Sequence, residues 1–162
     1  ITGVVNAVYN QANMVLIVLD NSTTAMTGHQ PHPGTGQTVM GEIVQKINIE
    51  QVLRGIGVTE IETINPLELE ASVSCVKRMA EKTGVRAIIF KAPCIAVTKP
   101  KAPLHVDQDS CIGCKKCIRD LGCPAIVMND GKICIDASMC TGCHLCSQVC
   151  PVCAIAGGDD HE

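Results

Sequence analysis

Eight cysteines in two runs carry the most specific chemistry in this chain. Cys111, Cys114 and Cys117 are spaced by two residues each and are followed by Cys123-Pro124; Cys140, Cys143 and Cys146 repeat the spacing and are followed by Cys150-Pro151. The second run reads C-x2-C-x2-C-x3-C-P, whereas the first sets its fourth cysteine off by five residues instead of three. An x2 spacing lets one tight turn present three thiolates to three irons of a cube, with the fourth thiolate supplied from elsewhere. Structural zinc asks instead for four thiolates or imidazoles in pairs of pairs. Two triplets and two Cys-Pro singles suit iron-sulfur cubes and fit zinc poorly.

The second run is that of bacterial two-cluster ferredoxins, where three cysteines of one run and the last cysteine of the other bind each [4Fe-4S] cube. That resemblance implies Cys111, Cys114, Cys117 and Cys150 on the first cluster, and Cys140, Cys143, Cys146 and Cys123 on the second. The wide gap is then tolerable, because Cys123 serves the other cube, and the inserted Ile-Arg-Asp-Leu-Gly is expected to loop outward. HVDQDSCIGCKKC and CIDASMCTGCHLC align, with Asp109 and Ser138 ahead of each triplet and Gly113 and Gly142 inside it. This is an internal duplication with pseudo-twofold symmetry. The leftover Cys75, Cys94, Cys134 and Cys153 read as small buried hydrophobes.

Ten of the twelve cysteines lie between Cys111 and Cys153, which separates two domains: residues 1–100, and a cysteine-rich segment over 105–157, joined by the Pro- and Lys-bearing connector Thr98–His105. The cysteine-rich segment is short of large apolar side chains, so a metal is expected to hold it together. Thiols clustered for metal place the chain in a reducing compartment, the cytoplasm. The net charge of -3 comes from the second segment, since the first hundred residues balance eight cations against eight anions. With no basic stripe, and Tyr9 and Phe90 as the whole aromatic content, neither a phosphate-tracking surface nor a base-stacking platform is available. Nucleic acid is excluded as a partner. Residues 1–19 carry no charge, but Asn6, Asn10, Gln11 and Asn13 interrupt them, so no membrane span is expected. The absence of a starting Met and of a cleavable leader leads us to expect a fragment of a longer protein.

The cysteine runs and the loop described next must be positioned by the elements around them. TGVVNAVYNQA sets Val4, Val5 and Val8 at helical spacing, and it feeds Met14–Asp20, a continuous apolar run of the kind found in a parallel strand covered on both faces. Residues 21–37 are rich in Gly, Pro, Thr and Asn and form a loop at the carboxyl end of that strand, where open α/β sheets bind ligands. NIEQVLRGIG predicts a helix with a Gly stop, EIETIN a strand, PLELEASVSCVKRMAEKTG a helix, and RAIIFKAP a strand. The βαβαβ order predicts a parallel sheet with right-handed crossovers.

The loop Leu19–Gly36, LDNSTTAMTGHQPHPGTG, holds the second constellation. A carboxamide at the end of a buried strand, followed by small hydroxyl residues, can offer oxygens to Mg2+, a hard cation that usually also holds phosphate. By composition alone such a loop is an ordinary turn. Yet DNSTTAMTGHQPHPGTG, continuous with CIGCKKCIRDLGCPAI, resembles the carboxyl-terminal part of the α subunit in the 2-oxoacid:ferredoxin oxidoreductase family, in its indolepyruvate branch. The resemblance covers essentially the whole chain and implies a partial, Rossmann-like thiamine diphosphate-binding α/β domain followed by a bacterial two-[4Fe-4S] ferredoxin domain. It implies that Asn21 gives a side-chain oxygen and Thr23 a carbonyl to Mg2+, and that Thr27, Gly28, His29 and Gln30 lie near the diphosphate or the reacting carbon. His29 stands where related pyruvate enzymes commonly have Gly and is the candidate catalytic residue. The Gly-Asp-Gly-like element, whose Asp is the other Mg2+ ligand in the family, would precede Ile1.

On this resemblance the whole enzyme decarboxylates an aryl pyruvate with thiamine diphosphate and releases an aryl-acetyl-CoA. Electrons pass singly through the clusters to an external ferredoxin, and a second, β subunit completes an α2β2 assembly. Three rival readings stay open: a sister enzyme for pyruvate or another 2-oxoacid, an electron-transfer module that binds no thiamine, and a structural zinc protein.

Overall fold

The apolar run Met14–Asp20 forms β1, and it pairs in parallel with Val85–Lys91 (β3), which pairs in parallel with Glu60–Ile64 (β2) on its other side. The computed structural model describes residues 1–157, and the chain divides into two compact units, Ile1–Thr98 and Lys99 onward. The first is an α/β unit of strand order β1-β3-β2 with three helices: α1 (Thr2–Tyr9), α2 (Ile49–Ile56) and α3 (Leu69–Glu81). Both boundaries of α2 have a local cause. Asn48 caps α2 by accepting from the Gln51 N–H, and Gly57, at φ 106°, stops it in the left-handed region.

Alternate residues of β3 face opposite layers, as strand geometry requires. Ala87 and Ile89 pack with Leu53 of α2, Val58, and Val4 and Val8 of α1, while Ile88 packs with Cys75 and Met79 of α3. Val5, expected on the apolar face of α1, is 47% exposed, because the i, i+4 pair Val4 and Val8 alone meets the sheet. A second correction concerns β1. It was expected to be covered on both faces, yet Ile17 is 49% and Leu19 75% exposed. The cluster centred on α3 reaches β1 only at Val15, which leaves the rest of that face bare.

Arg86 of β3 is buried at 4% exposure. Its Nε donates to Met79 O at 3.0 Å, and its Nη1 donates to Asn13 Oδ1 and Gly84 O. One guanidinium therefore ties the end of α3 and the turn before β3 to the entry of β1.

Among the described residues the second unit holds four short strands and two short helices. Leu104–Val106 (β4) pairs antiparallel with Ile155–Gly157 (β7), and Ile126–Asn129 (β5) with Lys132–Ile135 (β6). The tight β5–β6 turn uses Asp130 and Gly131 at φ 48° and 78°, the Asp-Gly pair that a two-residue hairpin selects. The helices are α4 (Lys116–Leu121) and α5 (Leu145–Val149). A small core of Leu104, Ala125, Ile126, Ile133, Val149, Ala154 and Ile155 is buried between them and the strands. Among the described residues no helix is long and apolar enough to cross a membrane.

Arg86→Met should destabilise the first unit by about 2–4 kcal/mol, since it strands buried oxygens without their donor. Arg86→Lys should recover little, because one ammonium lacks the fork that spans three acceptors. Denaturant unfolding of the two variants against the wild type checks both statements.

Candidate functional site

The two cysteine loops are built alike, at an interval of 29 residues that runs from Cys111 to Cys140. Ahead of each stands an aspartate that the motif reading missed. Asp107 accepts from the Asp109 N–H at 3.0 Å and from the Ser110 hydroxyl; Asp136 accepts from the Ser138 N–H at 2.9 Å and the Ser138 hydroxyl at 2.6 Å. Those bonds, the hydroxyl one first in each case, hold both carboxyls below the usual range. Their carbonyls accept from Cys111 N–H and Cys140 N–H at 3.0 Å each, which starts each loop in the same direction. The legible signal was an aspartate four residues before the first cysteine of both runs. Within the loops, Gly113 and Lys115, and again Gly142 and His144, take left-handed φ of 60–67° on either side of Cys114 and Cys143.

Cys111, Cys114 and Cys117 of the first run line one small cavity together with Cys150 of the second. Burial pushes the Cys117 thiol up, and Cys114 and Cys150 add to it as charged neighbours. Cys146 is pushed up to about 11, by burial first and then by Cys143, Cys140 and Cys123. Cys150 thus stands with the first triplet at one cavity, and Cys123 is among the thiols whose charge bears on Cys146. Among the described residues, no three His, Cys, Asp or Glu side chains converge as they would around a single ion. Backbone donors also reach the sulfurs: Leu104 N–H to Cys140 Sγ at 3.5 Å and Ala154 N–H to Cys150 Sγ at 3.3 Å.

The inserted residues before Cys123 do not loop outward. They continue α4 to Leu121, and Gly122 at φ 58° turns the chain into Cys123. In the other half α5 ends at Val149 and Cys150 is its cap. Ala125 follows Cys117 by eight residues and Ala154 follows Cys146 by eight, so both halves reach their strand after the same length. The fourth cysteine has slid by two positions within a constant span, and Cys153 takes up the slack at φ 52°. That surface turn leaves Cys153 exposed; Cys94 and Cys134 are half-buried, so of the four spare cysteines expected to be buried Cys75 alone is.

In the first unit, Asn21 sits immediately after β1. Its Oδ1 accepts from Thr23 N–H at 3.2 Å and its carbonyl from Cys94 N–H at 2.9 Å, while Thr23 is buried at 7%. Thr27, Gly28, His29 and Gln30 are exposed and form a knot closed on itself. Thr27 Oγ1 donates to Gln30 Oε1 at 2.8 Å, Gln30 Nε2 returns to Thr27 O, and Thr24 Oγ1 donates to Gln30 O at 2.6 Å. Asn21 and Thr23 are together at the strand end; the outer four residues stand apart in their own turn. A cavity of about 440 Å³ opens over the carboxyl ends of the sheet, lined by Asp20, Thr63, Ile89 and Lys91 from the strands and by Lys46 and Asn48. Sequence reasoning did not single out Lys46 or Lys91, which carry no motif.

The model of the thiamine pyrophosphate enzyme C-terminal TPP-binding domain matches residues 1–90, more than half of the chain. The chain belongs to the thiamine pyrophosphate enzyme family. The model of a 4Fe-4S dicluster domain matches residues 104–151. This thiamine pyrophosphate family member is 44% identical over 153 residues to the indolepyruvate oxidoreductase subunit IorA of Methanothermobacter thermautotrophicus, a match covering 93% of the chain and 25% of that relative. It is 39% identical over 157 residues to the same subunit of Archaeoglobus fulgidus, covering 93% and 25%, and 40% identical over 163 residues to that of Thermococcus kodakarensis, covering 90% and 24%. The chain spans about a quarter of the length of the curated relatives it matches. No solved structure matches it. The donor chemistry fits the second domain: four thiols gathered at one cavity suit a cube.

A Cβ at Gly142 would lie 2.7 Å from Ala102 O and 2.7 Å from Lys101 Cβ, whereas one at Gly113 meets nothing within 4 Å. Both Gly→Ala variants carry a left-handed cost of about 1–2 kcal/mol. Gly142→Ala adds a collision with backbone, and it should release iron to a chelator at least about tenfold faster than Gly113→Ala, the ratio that a further 1.4 kcal/mol produces. Absorbance at the cluster band during chelation reads the difference.

Proposed function

We propose that this chain is part of a 2-oxoacid:ferredoxin oxidoreductase acting on aryl pyruvates such as indolepyruvate. The net reaction converts a 2-oxoacid, coenzyme A and two oxidised ferredoxins into an acyl-CoA, carbon dioxide, a proton and two reduced ferredoxins. The observation that carries this reading is the presence, in one chain, of a thiamine pyrophosphate-binding domain and a 4Fe-4S dicluster domain, with Cys111, Cys114, Cys117 and Cys150 gathered at one cavity of the latter. Similarity to the indolepyruvate oxidoreductase subunits supports the choice of oxoacid.

Thiamine diphosphate, when bound, supplies the electron sink that lets a 2-oxoacid lose carbon dioxide. The chain's part is to hold and orient. Asn21 and Thr23 offer their oxygens to Mg2+ from a turn that the Thr23 and Cys94 amides brace. Thr27, Gly28, His29 and Gln30 lie further out, toward the substrate, with His29 available to a proton. Cys111, Cys114, Cys117 and Cys150 bind one [4Fe-4S] cluster, and Cys140, Cys143, Cys146 and Cys123 the other. The enzyme works in the cytoplasm with a second, β subunit.

Anaerobic reconstitution should give about eight irons and eight sulfides per chain; stoichiometric zinc without iron would refute the cluster reading. Cys123→Ser should abolish the EPR signal of the cluster on Cys140, Cys143 and Cys146 and spare the other.

Asn21→Ala, in the full-length subunit assembled with its partner, should weaken thiamine diphosphate binding by about tenfold or more through the loss of an inner-sphere oxygen. Oxoacid-driven reduction of ferredoxin should fall with it, while the cluster spectra persist. Cofactor titration of wild type and variant decides, and an unchanged affinity would return the loop to an ordinary turn.

A further inference from the structure

The two cysteine loops are copies of one another, yet they meet solvent differently. Residues 112–116 are all exposed, Ile112 to 66%, whereas their counterparts 141–145 are buried or half-buried. The cause is the segment leading into β4. Lys101 N–H donates to Thr141 O at 3.2 Å, Leu104 N–H reaches Cys140 Sγ, and Lys101 and Ala102 lie against Gly142. Among the described residues no such cover lies over Gly113. Charge follows the same asymmetry. Between Cys111 and Gly122 stand Lys115, Lys116 and Arg119 against one acid, Asp120, while between Cys140 and Pro151 there is no Lys, Arg, Asp or Glu. Asp107 and Asp109 precede the first triplet, where Asp107 is engaged by Ser110 and by the Asp109 amide.

Resting on the function proposed above, we infer that the first loop is where electrons leave the protein, and that its surface docks a small acidic one-electron carrier. Electron tunnelling decays steeply with distance, so exchange with an outside protein needs a cluster ligand at the surface. Cys114 is exposed and its counterpart Cys143 is not. Exposed Ile112 shares the loop with Lys115, while Arg119 reaches back to donate to Cys114 O at 3.3 Å and Lys116 pairs with Asp120; an apolar residue beside net positive charge has the make-up of a small transient interface that steers an acidic partner. In each transfer the cluster on Cys111, Cys114, Cys117 and Cys150 goes from the 1+ to the 2+ state, and the carrier gains that one electron. Two transfers follow each 2-oxoacid oxidised.

The test uses the intact, cluster-loaded two-subunit complex and a purified acidic [4Fe-4S] ferredoxin as probe. Binding is measured in the oxidised state, without turnover, at low and high salt. Lys115→Glu and, separately, Ile112→Asn should weaken binding about tenfold at low salt, and the charge effect should fade at high salt. His144→Glu, the same change at the covered loop, should leave binding as in the wild type. With 2-oxoacid as donor, the ratio of ferredoxin to methyl viologen reduction should fall in the first two variants only. Unchanged binding in both, or an equal loss in His144→Glu, overturns the assignment. So does release of the second subunit from Lys115→Glu in sedimentation, which would give the surface to that subunit. Should the oxoacid reduce neither acceptor in the wild type, the proposed function fails, while the binding measurements still judge the surface.

Discussion

Each half of the cysteine-rich unit is closed by the other. Asp107 N–H donates to Ala154 O and Asp136 N–H to Ala125 O, both at 2.8 Å, so the residue that starts each cysteine loop is bonded to the start of the strand that ends the opposite half. The gathering of Cys150 with the first triplet accords with this, since the loop that carries Cys111 is pinned to the strand that follows Cys150. The crossed pair of main-chain bonds works together with the β4–β7 pairing, which also ties the start of the first half to the end of the second.

The α/β unit rests on a different constraint, the parallel register that places Asp20, Ile64 and Lys91 at one edge. All loops that leave the strands in the forward direction must start there, which is why the carboxamide turn at Asn21 is braced by the chain just after β3: Cys94 N–H bonds the Asn21 carbonyl. A residue without any motif of its own thus supports a residue that has one. The two units solve the same problem, the positioning of a few polar atoms, by a sheet edge in one case and by a folded duplication in the other.

What could be read from residues alone was the strongly patterned part. The run Met14–Asp20 is β1 to the residue, and Gly57 ends α2 as its position indicated, because continuous apolar content and a left-handed stop are local properties. The cysteine spacing announced cubes since three thiolates on one turn have few other uses. The failures are those of relation. The exposure of Ile17 and Leu19 depends on how far α3 reaches, and the helical course of Ile118–Leu121 depends on packing, since six residues give too little periodicity to recognise. Lys101 and Ala102 carry no motif, so their cover over Gly142 was invisible until the fold placed them there.

The constant span from third cysteine to strand restricts how this unit can change its length. Cys123 and Cys150 differ by two positions, yet Ala125 and Ala154 keep the same offset, since a shift of one residue would turn Ile126 or Ile155 out of the core and break the bond to the facing aspartate. An insertion before the fourth cysteine is therefore tolerated only together with a matching deletion behind it. Within this duplication each half can thus carry its own ligand at a different place along the chain while the strands they share stay in register.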